Sequence, residues 1–202
     1  MNRAQQQFGE PIELVVKKIF PAMPEMIQEF VRAAPFAVLS TADGEGNCDA
    51  SPKGGMPGFV KVLDEHRLLL PDVAGNRLFQ SYGNLESNPK AALLFMIPGC
   101  DWTVRVNGRA SVVEKSDGRL AGIAPEVFEH DENTKVLQGI LLEVDEAYAQ
   151  CPRAFTFSRL WDVDRIGAAR AAKVDRYWLG RWKESMKGLA DEIVGKAETE
   201  ND

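Results

Sequence analysis

The sequence predicts a mainly β fold, an antiparallel barrel of about six short strands flanked by α-helices. Three observations predict it. Apolar or alternating runs recur from Phe36 to Val113, tight-turn residues separate them, and a single helix-length pattern interrupts them. Other helical patterns lie before the first run and near the C-terminal end.

Taken in order, Pro21 to Ala34 carries Met23, Met26, Ile27, Phe30 and Val31 at helical spacing, which predicts an amphipathic helix. Phe36–Thr41 is a short apolar strand, and ADGEGN is the hairpin signal leading to the next strand, DASPKGG. Gly44 and Gly46 imitate the start of a dinucleotide fingerprint, but Asp49 stands where a third glycine belongs and the context is strand–turn–strand. From Pro57 to Leu70 a second hairpin turns at Asp64-Glu65-His66. GNRLFQSYGNLESNP then predicts a helix facing Leu78, Tyr82 and Leu85 inward, ended by Pro89. AALLFMIPG and DWTVRVNGRASVV follow as strands. In the second, Val104, Val106, Ala110 and Val112 alternate with Arg105, Asn107, Ser111 and Val113. SDGRLAGIAPEVFEHDEN reads as helix or loop, GILLEVDEAYAQ as a further strand and CPRAFTFSRLW as a helix. The tail from Val174, with Tyr177, Trp178, Trp182, Met186, Leu189 and Ile193, reads as an amphipathic helix with an acidic end.

A chain of 202 residues with 45% hydrophobic and 27% charged content is an ordinary single domain. Its net charge of -6 argues against nucleic acid or an anionic membrane as the main partner. No basic-then-apolar leader and no membrane-length apolar run are present. Cys48, Cys100 and Cys151 are odd in number and form no CxxC pair, which places the expectation on a reduced, cytoplasmic protein.

Side-chain chemistry is sparse. His66 and His130 are the only histidines and have no partner at metal-ligand spacing, so no metal site is expected. No GxSxG elbow is present, and no histidine is placed to activate a cysteine. Any reaction would therefore draw on a bound cofactor. Asp72, Asn76, Arg77 and Ser81 fall together at a strand-to-helix junction, where helix N–H groups and an Arg suit a phosphate. A cation in a first helical turn opposes the helix dipole, and a bound anion would remove that conflict. An exposed Arg beside an Asn N-cap is the other reading. Lys53 in PKGG is either a ligand or a solvated lysine, and Arg105 faces either a polar site or solvent. Ser51 and Thr103 are ordinary strand residues unless the fold unites them, and Asp72 is a turn residue able to accept bonds from a polyol.

The ordered set DASPKG, LLLPDVAGNRLFQS, NPKAALLF, IPG and TVRVNGRA resembles the pyridoxamine 5′-phosphate oxidase-like, FMN-binding split-barrel family over roughly Phe36 to Trp161. The resemblance implies a six-stranded, Greek-key-like antiparallel split barrel that dimerises, with FMN in grooves between subunits. Its core would be residues 35–161, with an N-terminal helical segment at 1–34 and a C-terminal helical extension at 162–202. Carried over by position, Ala50, Ser51 and Lys53 would line the isoalloxazine. Leu70, Pro71 and Asp72 would flank the ring and ribityl chain. Asn76 and Arg77 match the place of basic phosphate ligands, with Ser81 assisting, and Thr103 and Arg105 would lie near the flavin's polar edge. Residues 151–161 resemble a segment that crosses the dimer interface, where Trp161 is kept and Phe157 replaces a basic residue.

The resemblance implies an FMN-dependent oxidoreductase acting on a small molecule, with no residue assigned as catalytic. Pyridoxamine phosphate is not the expected substrate. The authentic vitamin-B6 oxidase ends in Arg- and His-bearing segments, whereas no histidine follows His130 here. A flavin- or haem-binding protein without turnover, a deazaflavin-dependent reductase and a barrel with no cofactor are the alternatives.

Overall fold

Seven strands join one antiparallel sheet in the computed structural model: β1 (Phe36–Ala42), β2 (Cys48–Gly54), β3 (Lys61–Asp64), β4 (Arg67–Val73), β5 (Lys90–Met96), β6 (Thr103–Glu114) and β7 (Val136–Gln150). The structure describes residues 1–73, 75, 78–132 and 134–199, with side chains of the last helix described as far as Lys187. The helices are α1 (Arg3–Phe8), α2 (Glu13–Lys17), α3 (Glu25–Ala33), α4 (Gln80–Ser87), α5 (Arg153–Ser158), α6 (Val163–Ala171) and α7 (Val174–Thr199).

The strand order is β2-β1-β5-β6-β7-β4-β3, and every ladder in it is antiparallel. The expected mainly β split-barrel class is the observed one. The sheet holds seven strands because the further strand expected from GILLEVDEAYAQ is its longest member and sits between β6 and β4. Among the described residues no ladder joins β2 to β3 or β4, so the barrel is open along one seam.

Alternation sorts the side chains. Ser51, Leu39, Leu93, Val106 and Ala147 are opposite one another across successive strands and share the inner face. Ala50, Ser40, Ala92, Asn107 and Glu146 form the corresponding row on the outer face. The segment leading into α3 and the helix itself plug the inner face with Met23, Ile27, Val31 and Ala34, all fully buried. Burial of four such side chains supplies several kcal/mol, at about 1.5–3 kcal/mol for each large one. A smaller cluster of Leu69, Val113, Leu120 and Leu141 covers the other face near the far end of β6.

The structure corrects several local expectations. Met26 is exposed, because the α3 stripe that meets the barrel runs through Met23, Ile27 and Val31. The strand expected from Pro57 begins at Lys61, although Phe59 and Val60 are buried before it. Val113 rather than Val112 is buried, since β6 exchanges the main core for the second cluster as it passes under Leu120. The segment from Ser116 to Asn133 resolves the choice between helix and loop, being turns and irregular chain among its described residues.

Contacts divide the chain into two units, Met1–Ala154 and Phe155–Asp202. In the second, Phe155 stacks on Trp161 with ring centroids 5.7 Å apart. Trp178 and Trp182 are 65% and 60% exposed there. Among the described residues no helix is long and apolar enough to cross a membrane.

Candidate functional site

The open seam is where Ser51, Lys53, Leu70, Pro71, Asp72 and Ser81, six of the predicted residues, meet. β2 belongs to one end of the sheet and β4 to the other, yet Lys53 Nζ lies 3.2 Å from Asp72 Oδ1. Alternation explains the meeting: Lys53 shares a face with the buried Ala37, and Asp72 shares one with the buried Leu68 and Leu70. Both therefore point inward at the mouth of a curled sheet. Both side chains are 18% exposed, so this pair is far better shielded than a surface salt bridge.

The helix α4 closes one side. Its residue Tyr82 is 8% exposed and donates its hydroxyl to Asp72 Oδ2 at 2.9 Å. The neighbouring Ser81 donates to Asp49 Oδ2 at 2.6 Å, and Asn84 donates to Thr41 Oγ1 at 2.9 Å. Three polar side chains thus fasten one helix to the strand edges.

The helix starts later than the sequence suggests. Its first residue is Gln80, three positions beyond Arg77, and its N-cap is Phe79 at φ 49. The left-handed region is uncommon for a bulky aromatic and is held here by an edge-on contact with Tyr82, ring centroids 5.7 Å apart. A Phe side chain cannot cap, so the N–H groups opening α4 have no side-chain acceptor from it. Leu78, expected inside, is 70% exposed because it precedes the helix. Asn76 and Arg77 lie outside the described residues.

Two adjoining cavities of about 250 Å3 each lie along the seam. One is bounded by Asp49, Ser51 and the start of α4, and the other by Phe59, Pro71 and residues 125–127. Pro52, Lys53, Asp72, Val73 and Gly75 line both. The Lys53–Asp72 bridge is therefore the partition between a polar chamber and an apolar one.

Of the predicted residues, Ser51, Lys53, Asp72 and Ser81 gather at the polar chamber, and Leu70 and Pro71 at the apolar one. Ala50 lines the polar chamber and also a broader outer-face groove of about 930 Å3. Arg105 lies in that groove, its guanidinium donating to Tyr148 Oη at 3.0 Å. Thr103 is buried on the same outer face, so Ser51 and Thr103 are not brought together. Trp161 belongs to the second unit, where it stacks on Phe155.

Sequence reasoning missed Asp49 and Tyr82. Asp49, Ser51 and Lys53 alternate along β2, and three polar residues on the inward face of an edge strand were the available signal. Tyr82 carried no comparable mark, because a helix tyrosine facing a core reads as packing.

Burial pushes the Tyr82 hydroxyl well above its ordinary pKa, and the charge of Asp72 and the bond donated to it push further, against Gln138. An unfolded tyrosine releases its proton near pH 10 while folded Tyr82 retains it. The corresponding stability is complete below about pH 10 and is lost as pH rises above it. Urea midpoints measured through that window are expected to fall in the wild type and to fall less steeply in Tyr82→Phe. Parallel curves would show that folding does not raise the pKa of this hydroxyl.

A family model described as pyridoxamine 5′-phosphate oxidase matches residues 23–151, well over half of the chain. The chain belongs to the pyridoxamine 5′-phosphate oxidase family. The family match spans all seven strands and α3 and α4, and stops before α5. No curated protein matches the chain. Among solved structures, HupZ of Group A Streptococcus is 13% identical, with 62% of this chain and 91% of that one covered at a TM-score of 0.46. General Stress Protein 26 from Bacillus anthracis is 16% identical, covering 62% and 91% at 0.46. HutZ, the haem storage protein from Vibrio cholerae, is 15% identical, covering 61% and 89% at 0.41.

Proposed function

We propose that this family member is an FMN-dependent oxidoreductase, a cytoplasmic homodimer acting on a small molecule other than pyridoxamine phosphate. The observation that carries the reading is the polar chamber, where the uncapped start of α4, the Ser81 hydroxyl and Lys53 converge. A phosphate suits that helix start, with Arg77 supplying the further charge that the sequence offers. Asp72 and Asp49 are acceptors suited to the hydroxyls of a ribityl chain, and their carboxylates keep a second anion out. Ala50, Ser51, Leu70 and Pro71 would border the ring, with Asn76 beside the phosphate. Thr103, Arg105 and Trp161 would reach the flavin through the outer face and the partner subunit.

FMN supplies hydride or electron transfer when bound. This chain's residues bind and orient it. Lys53 is held in place by Asp72, which is held by Tyr82, so the ammonium is fixed before any ligand arrives. The exposed apolar face of α7 and the exposed outer groove support pairing with a second copy.

The test begins with the colour of the purified protein. A flavin absorbance pattern supports FMN, whereas a haem or deazaflavin spectrum, or none, would replace the reading. Reduction by a nicotinamide cofactor followed by reoxidation separates an enzyme from a flavin carrier without turnover. Sedimentation should give a dimer, and a flavin-loaded monomer would contradict a shared site. With Phe157 in place of a basic residue and no histidine beyond His130, pyridoxamine phosphate should turn over far below about 1 per second. A rate at or above that value would overturn the exclusion.

A further inference from the structure

The overall charge of -6 hides a local reversal beyond the family match, which ends at residue 151. From Arg165 to Lys187, seven Lys and Arg residues of α6 and α7 stand against Asp175 and Glu184, five net positive charges. Arg181 is bonded to Glu184 at 3.0 Å. Among the described residues no ion pair engages Arg170, Lys173, Arg176 or Lys183. Three of these cations converge. Arg170, Lys173 and Arg176 line a cavity of about 690 Å3 where α6 turns into α7, beside Ile166 and Val174, with Asp175 the one carboxylate among its described residues.

The helix leading away from this cavity is amphipathic and uncovered. Trp178, Trp182 and Met186 follow one another at successive turns of α7 with Leu179 beside them, a stripe roughly 100° wide. By the same helical spacing Arg176, Lys183 and Lys187 border the stripe on one side and Arg181 on the other. Every described residue from 167 to 187 is exposed, so the stripe meets no core. One occupant fits both halves. An anionic phospholipid surface sets phosphates level with the cations and hydrocarbon beneath them. Indole rings lodge at that boundary, and Lys and Arg stems lie along it with their charges among the headgroups. A stacked nucleic-acid base would gain little from Leu179 and Met186. A second copy of this face would set cations against cations, so pairing of two copies falls to the outer groove.

We propose that α6 and α7 form a docking face for an anionic phospholipid surface. The cations of the corner cavity take headgroup phosphates, and the apolar stripe of α7 enters the boundary with the acyl chains. The face lies outside the flavin site and does not depend on the oxidoreductase reading.

The experiment uses the full-length protein as purified and two vesicle preparations, phosphatidylcholine alone and phosphatidylcholine with phosphatidylglycerol, read by flotation and tryptophan fluorescence. The anionic vesicles should bind about tenfold more tightly or better, with blue-shifted emission, and added salt should weaken them. Trp178→Ser with Trp182→Ser should abolish the shift and lower affinity by about tenfold. Arg170→Glu, Lys173→Glu and Arg176→Glu together should lower it by about a hundredfold. Both variants change exposed positions and should keep the wild-type circular dichroism and flavin content. Absence of binding, equal binding to the two preparations, or undiminished binding of either folded variant would each overturn the proposal. So would displacement of the anionic vesicles by a single-stranded oligonucleotide, or conversion of a dimer to a monomer by the tryptophan substitutions. A colourless protein that binds the anionic vesicles refutes the flavin reading and upholds the docking face.

Discussion

Arg77→Ala is expected to lower FMN affinity by roughly ten- to a hundredfold, because a charge-assisted hydrogen bond to phosphate is worth about 1.5–3 kcal/mol. The surroundings raise the stake on this residue. Among the described residues lining the polar chamber, Lys53 is the one cation, and Asp72 already engages it. Asp49, bonded to Ser81, adds an opposing negative charge close to the start of α4. A phosphate there needs a second positive side chain, and the sequence places Arg77 nearby. Equilibrium titration of apo protein with FMN, checked for folding by circular dichroism, measures the effect. Unchanged affinity in a folded variant would remove Arg77 from the phosphate site.

The largest stability loss is expected from Gly108→Ala. Gly108 stands where the β6–β7 register shifts, inside the longest ladder of the sheet. A Cβ there would lie 1.9 Å from the Glu143 carbonyl oxygen and 2.9 Å from its carbonyl carbon. Both atoms belong to the backbone, so no side-chain rotation relieves the contact and the strands must part. The expected cost is about 3 kcal/mol or more, at the severe end for overpacking. Chemical denaturation would measure it, and a loss under about 1 kcal/mol would mean that the bulge can absorb a methyl group.

The two substitutions also separate what each level of description contributes. Arg77 stands out in LLLPDVAGNRLFQS as an expected phosphate ligand because strand end, turn residues, an arginine and a helix start are a local vocabulary. The helix itself was placed too early. The periodic residues Leu78, Tyr82 and Leu85 imply one continuous face, but the left-handed Phe79 sets the first turn at Gln80 and turns Leu78 outward. Gly108 stood in the quoted RVNGRA with nothing to mark its importance. Its role exists only because Glu143, far along the chain, crosses it.

By itself the sequence determined the mainly β class, the order of the strands and most of their inward sets, though not the switch from Val112 to Val113 in β6. Alternation and turn chemistry act over neighbouring residues and are written in the chain. It also gave the expectation of a bound group, since neither histidine has a partner at ligand spacing and no hydrolase elbow is present. The tertiary structure alone decided that Lys53, Asp72 and Tyr82 form one connected set, that Thr103 and Ser51 lie on opposite faces, and that Lys53 and Asp72 meet between two cavities of the seam. Those facts depend on the curl that brings the β2 edge of the sheet to β4. The curl accumulates over all the intervening ladders as each strand twists on the last, and no local window of residues contains it.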